Sequence, residues 1–295
     1  MEINEIAKRL MVGAIDTHVH VMPSMKRLNS DAFEVAKQAE IAGMKAVVFK
    51  CLDFPSGGYA FLVNKIVKDI KLFGMIVLDK SVGGLNVTAV NNAISLGQGI
   101  PGEYTRIISM PVFSASGSVK PAGGRQEVVD VVKEGQVVPE VKEICRLVAE
   151  HNLALATGHL AYKEIVPVID AAKNQGVDKI IVTHPQRAGT SLSVKEQISL
   201  AEMGAYMEVC YCAATKYHHE KYPGCLYTAE RLVEEIKEVG VGRCIFATDF
   251  GADPGTNDPP VEGLRMFIED MLRWGITEGE IETMKANAAH ILGLQ

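Results

Sequence analysis

The chain has 295 residues, 47% of them hydrophobic and 22% charged, with a formal net charge of −6. This composition is ordinary for a globular protein, and the acidic balance argues against a general nucleic-acid binder, which carries a basic patch. The opening residues Met1-Glu2-Ile3-Asn4-Glu5 lack the charged-then-apolar layout of a signal peptide, and no apolar run approaches the roughly 18 residues of a membrane span, so a cytoplasmic protein without membrane contact is expected.

Taken in chain order, the pattern predicts strands alternating with helices. The apolar run Met11 to Ile15 reads as a first strand leading into Asp16-Thr-His-Val-His20, and a helix follows from Asp31 to Ala42, opened by Ser30 and Asp31 and closed by Gly43. A second strand, Ala46 to Lys50, precedes a helix from about Tyr59 to Ile70. The third, Phe73 to Asp79, precedes a helix capped by Asn86 and reaching Leu96. The fourth strand spans Thr105 to Val112, then come a Gly- and Ser-rich stretch, Ser114 to Gly124, and a helix from Pro139 to His151. The fifth strand, Leu153 to Gly158, ends at His159 and precedes a helix from Tyr162 to Gln175. The sixth, Lys179 to Thr183, ends at His184 and precedes a helix from Ser193 to Met203. The seventh, Ala205 to Cys212, is followed by a long loop and a helix from Thr228 to Val239. The eighth, Arg243 to Thr248, ends at Asp249.

Eight strand-then-helix units predict parallel strands with crossover helices closed into a (β/α)8 TIM barrel, and the length suits one such domain over residues 1–295. In that architecture the active site lies at the carboxyl ends of the strands. The polar strand ends fall there. His18 and His20 stand two apart, a spacing that puts both side chains on one face of a strand and lets them grip one ion from a rigid base. His159, His184 and Asp249 close three further strands, and burying such groups is costly unless they are paired or metal-bound.

The order His-x-His, His, His, Asp on the first, fifth, sixth and eighth strands resembles the amidohydrolase superfamily of metal-dependent hydrolases. The resemblance runs from Gly13 to Leu294. The amphipathic segment through Trp274 and Gly275 and the stretch Thr277 to Leu294, with Asn287-Ala-Ala-His-Ile-Leu-Gly-Leu, look like the family's closing helices and Asn-Pro-Ala-like tail, with Ala288 in place of Pro. A polymerase-and-histidinol-phosphatase type barrel also begins with His-x-His, but it expects Asp-x-His near its end where this chain has Asp249-Phe250-Gly251.

The resemblance implies a division of labour. His18, His20 and Asp249 would hold one ion, and His159 would join them or hold a second. His184 would ligate that second ion or polarise the substrate, and Asp249 would take the proton of the attacking water. A divalent cation lowers the pKa of water toward neutrality and a nearby carboxylate can then accept its proton, so hydrolysis is the default chemistry. Zinc is the first expectation for the metal, one or two ions, with manganese and iron as alternatives. Two-metal members bridge the ions from the end of the fourth strand, where this chain has Met110-Pro111-Val112-Phe113 and no suitable group. Lys50 ends the second strand instead, as a candidate carbamate bridge or a substrate-binding cation. Glu208 is a further candidate, with its face undecided by Met207 and Val209.

Arg27, Arg125 and Arg187 lie in loops where a guanidinium can clamp a carboxylate or phosphate. The loop after the seventh strand carries Tyr211, Lys216, Tyr217, His218, His219 and Tyr222. An exposed position is expected for the adjacent histidines, whose side chains point apart. The stretch Pro121-Ala-Gly-Gly-Arg125 lacks a P-loop ending. Cys51, Cys145, Cys210, Cys212, Cys225 and Cys244 show no zinc-ribbon spacing and read as mostly buried thiols, with Cys210 and Cys212 near the site. The expected partner is a small-molecule substrate, an amide, lactone or related ring, with a homo-oligomer left open. The alternative is a lyase that decarboxylates on the same barrel.

Overall fold

The computed structural model describes residues 2–116, 118, 127–187, 190–222, 227–252 and 258–294. Eight parallel strands lie in the order β1 (Ile15–His20), β2 (Ala46–Lys50), β3 (Lys71–Val77), β4 (Thr105–Ser109), β7 (Ala154–Ala156), β8 (Ile180–Thr183), β9 (Tyr206–Cys210) and β10 (Cys244–Ala247). Between β4 and β7 a small antiparallel hairpin pairs β5 (Val132–Lys133) with β6 (Gln136–Val137). The two edges of the eight-stranded sheet meet just past β10: the His20 N–H donates to the Phe250 carbonyl and the Asp249 N–H to the His18 carbonyl, each at 2.9 Å. The fold is the expected TIM barrel. Its helices are α1 (Ile3–Leu10), α2 (Ala32–Ile41), α3 (Gly57–Val63), α4 (Val87–Ile94), α5 (Pro139–Glu150), α6 (Tyr162–Asn174), α7 (Val194–Glu202), α8 (Lys216–Lys221), α9 (Ala229–Val239), α10 (Pro260–Arg273) and α11 (Glu278–Ile291).

Strand alternation sorts the apolar residues into two layers. Val48, Met75, Ile107, Ile181 and Ile245 pack with one another inside the barrel, and Ala288, Ile291 and Leu292 at the end of α11 join that cluster beside Ile15 and Ala46 at the strand starts. The closing helix thus plugs the end opposite the polar strand tips. Val47, Phe49, Ile76, Leu155 and Phe246 belong to the larger layer packed under the helices. Several helices start where their caps dictate: Asp31 with Glu34 for α2, Asn86 for α4, Ser193 with Glu196 for α7 and Thr277 with Glu280 for α11.

The first strand begins later than expected, at Ile15, because α1 ends at Met11, whose N–H bonds back to Ala7, and Gly13 turns the chain at φ 75°. The helix after β2 ends at Val63, short of the expected Ile70. Asn64 stops it by giving its side-chain amide to the carbonyls of Ala60 and Leu72 and accepting from the Leu72 N–H. The third strand runs Lys71–Val77, and Asp79 beyond it serves the next loop, its carboxylate accepting from the N–H groups of Val112, Phe113 and Ser114.

Asp16 closes the barrel. Its buried carboxylate accepts from the Thr248 hydroxyl at 2.6 Å, the Thr248 N–H at 3.2 Å and the His18 N–H at 3.0 Å, tying β1 to the end of β10. Asp16→Ala would leave these donors buried and unpaired. A loss of about 2–4 kcal/mol is expected, read as a fall in Tm of roughly 3–7 °C by thermal unfolding, and an unchanged Tm would show that the carboxylate does not hold the seam.

Candidate metal centre

The carboxyl ends of β1, β2, β9 and β10 bring buried polar side chains together. His18 Nε2 and His20 Nε2 both lie 3.0 Å from the same oxygen, Asp249 Oδ1. On the far side of its ring, His18 Nδ1 lies 2.9 Å from Glu208 Oε2, and Thr17 donates to the other Glu208 oxygen at 2.6 Å. Glu208 therefore faces inward and fixes the His18 ring, so that Nε2 points at Asp249. A carboxylate behind a ligating imidazole is the usual way to set its orientation and basicity. Cys212 Sγ donates to Asp249 Oδ2 at 3.1 Å.

Backbone strain sits at two strand ends. Asp249 has φ 54° and His184 has φ 25°, left-handed values that side chains other than glycine adopt rarely and that gather at functional sites. At Gly251 a β-carbon would collide with the His20 carbonyl, and at Gly158 with the carbonyls of Met110 and Pro111. Only glycine allows these loops to lie so close to the strand ends beside them.

Burial and the Lys50 ammonium oppose a proton on His18, yet Asp249 and Glu208 outweigh them and raise its pKa. Burial also works against the charge of Asp249, but the fields and bonds of His18 and His20 hold that carboxyl well below its ordinary value. Carboxylates thus stand at both ring nitrogens of His18, Glu208 at Nδ1 and Asp249 at Nε2. Two imidazoles and a carboxylate, each offering an atom within 4.8 Å of the others, form a donor set that suits zinc, manganese or iron, so the residues fit a divalent ion. His20, by contrast, is pushed down to about 4, chiefly by burial, and keeps its lone pair for a ligand.

Lys50 is buried at the end of β2, with Nζ 2.9 Å from His18 Nε2. Burial lowers its pKa against the pull of Asp249 and Glu208. His159 and His184 form a second pair, with Nε2 atoms 3.1 Å apart, both held well below the ordinary imidazole value by burial first. His159 also meets Ser118 Oγ through Nδ1 and accepts from Arg187 Nη1 at 3.2 Å. His184 Nδ1 is buried with no hydrogen-bond partner among the described residues.

A cavity of about 180 Å³ opens over His20, Lys50 and Asp249, with Arg187, Cys212 and His218 in its wall. The strand-seven loop folds into a short helix, α8, capped by Thr215, and His218 on it is buried, contrary to the exposed position expected from sequence. His219 turns away to the carbonyls of Ala213 and Tyr227. Arg27 does not join the cavity: it is exposed and lines a neighbouring groove with Phe33 and Leu62. Arg125, Cys225 and the stretch Pro121 to Arg125 lie outside the described residues. Cys51, Cys145, Cys210, Cys212 and Cys244 are free and buried as expected.

A model for a family of unknown function, DUF6282, matches residues 13–208, a stretch that includes His18, His20, Lys50, His159, His184 and Glu208. The chain belongs to the DUF6282 family. No curated protein matches it. Among solved structures, an amidohydrolase from Pseudomonas aeruginosa superposes with a TM-score of 0.66 at 13% identity, covering 99% of this chain and 98% of that one. The probable dipeptidase PvdM from the same organism gives 0.69 at 10% identity, with coverage of 99% and 98%. A probable 2-pyrone-4,6-dicarboxylic acid hydrolase from Acinetobacter baumannii, solved with citric acid bound, gives 0.61 at 13% identity, with coverage of 96% and 100%. At these identities the likeness establishes the barrel. The DUF6282 chain therefore shares the barrel of these structures over nearly its full length, and it carries a buried His-His-Asp candidate metal site. Among the described residues no helix is long and apolar enough to cross a membrane.

Proposed function

We propose that this DUF6282 protein is a metal-dependent hydrolase of a small amide, lactone or related ring. The observation that carries the reading is the convergence of His18 Nε2 and His20 Nε2 on Asp249 Oδ1 beneath an open cavity. His18, His20 and Asp249 would hold one divalent ion, zinc as the first choice, with Glu208 fixing His18. When bound, such an ion lowers the pKa of water toward neutrality and polarises the group under attack. Asp249 is the proton acceptor: its carboxyl is held ionised, and the Cys212 thiol steadies Oδ2. Arg187 occupies the lone pair of His159, which favours one ion over two. His184, neutral and beside that pair, is assigned to polarising the substrate.

Elemental analysis of the purified protein should give one divalent ion per chain, and chelator treatment should abolish hydrolysis of an amide and lactone panel. Carbon dioxide release without hydrolysis would replace this reading by the lyase. Lys50 separates one ion from two. If Lys50 is an unmodified amine that faces the substrate, Lys50→Met should leave the metal content unchanged and raise KM. A fall in bound metal would instead make Lys50 the bridge between two ions.

A further inference from the structure

Among the described residues Arg187 is the one guanidinium in the wall of this cavity, on the loop that follows His184. Its side chain is partly buried, and its Nη2 donates to the Tyr222 hydroxyl at 3.2 Å while Nη1 donates to His159 Nε2. The guanidinium carbon also lies 5.6 Å from the centroid of the Tyr222 ring, and that ring lies 4.9 Å from the His218 ring. The fork is thus held in place from two sides by neutral groups. Among the described residues no carboxylate forms an ion pair with it. A guanidinium stays charged under all ordinary conditions and offers five N–H donors, so one that is held in a cavity wall without an ion pair is an anion site.

Of the two acids in the wall, Asp249, whose charge acts on Arg187, meets His18 and His20, each at 3.0 Å, and Asp53 is engaged by the Ser24 hydroxyl and the Met25 N–H, each at 3.0 Å. Leu28, Leu52, Val112 and Phe113 give the wall an apolar part. The cavity has a volume of about 180 Å³. It suits a small organic body.

We infer that Arg187, positioned by Tyr222, is a carboxylate subsite, so that this chain takes a small organic acid whose carboxylate lies against the guanidinium while its apolar body rests on the Leu28, Leu52, Val112 and Phe113 wall. This rests on the reading of the cavity as the substrate site. One planar fork matches a planar carboxylate through two parallel bonds.

The test is binding, read without turnover. Benzoate, its neutral counterpart benzamide and phenyl phosphate are titrated by calorimetry into the full chain, both as purified and after chelator treatment. Benzoate is expected to bind about tenfold or more tightly than benzamide in both preparations. Arg187→Gln should erase that preference while leaving benzamide affinity and metal content unchanged, and Tyr222→Phe should weaken benzoate by a smaller factor. If Arg187→Gln does not fold, the benzoate and benzamide pair on the parent and on Tyr222→Phe decides the question. Equal affinity for the two, no benzoate binding at millimolar concentration, or a preference that survives Arg187→Gln would overturn the subsite. So would benzoate binding that disappears with chelator, because the ion would then be the anion site, or phenyl phosphate binding more tightly than benzoate. Since no turnover is measured, a protein that hydrolyses nothing can still pass this test, and a true hydrolase can fail it.

Discussion

The double variant His18→Ala, His20→Ala is expected to lose its bound ion and all hydrolytic activity while keeping the barrel. Both imidazoles meet the same Asp249 oxygen at 3.0 Å, so removing them takes away two of the three side chains that converge there. Loss of a residue that merely supports a ligand costs about 10–100-fold in metal affinity, and loss of two ligands should exceed that. The fold should survive because the packing layers inside the barrel are built from Val48, Met75, Ile107, Ile181 and Ile245 and do not include the histidines. Some stability should nonetheless be lost. Glu208 and Asp249 would remain buried without their imidazole partners, each at a cost of about 1–3 kcal/mol. Elemental analysis and thermal unfolding on the same preparation check both halves, and full metal retention in a folded double variant would exclude this centre.

How much of this centre was legible in the sequence depended on what each residue terminates. His18, His20, His159, His184 and Asp249 stand at the ends of apolar runs, where a polar side chain interrupts a pattern that is otherwise easy to read. Glu208 gave no such signal. It lies inside β9, where Met207, Val209 and Cys210 are buried as well, so alternation cannot assign a face to a strand covered on both sides. Its inward position follows from the register of β9 between Thr183 on β8 and Ile245 on β10, a property of the closed sheet.

The walls of the cavity were harder to read than its floor. Lys216 to Lys221 is mostly polar and carries no apolar period, so the sequence reads it as loop. The Thr215 hydroxyl nevertheless caps a helix there, and His218 turns inward. Arg27 and Arg187 are both loop arginines with equal claims by composition. The distinction between them is tertiary: one is exposed beside a surface groove, and the other reaches His159 and Tyr222. The same holds for Asn64 and Asp79, whose side chains replace backbone partners in the neighbouring strand or loop and so move element boundaries that propensity alone places elsewhere.

Asp249→Asn separates holding the ion from moving the proton. The substitution keeps the shape of the side chain and an oxygen able to meet His18 and His20, while removing the group that accepts a proton. It is also tolerant of the backbone. Asp249 has φ 54°, a left-handed conformation that asparagine adopts about as readily as aspartate, whereas alanine would add strain to the chemical change. The variant is therefore expected to fold and to retain most of its metal. Turnover should fall by about two or more orders of magnitude, the size usually associated with a positioned general base. With the amide oxygen in the place of Oδ1, the amide nitrogen stands in the place of Oδ2 against the Cys212 sulfur, a weaker contact than the thiol–carboxylate bond of the parent, so metal affinity should fall somewhat. Metal content and turnover must be measured together for that reason. A loss of turnover that follows the loss of metal in proportion would make Asp249 a ligand only, and unchanged turnover at full metal content would exclude it as the base.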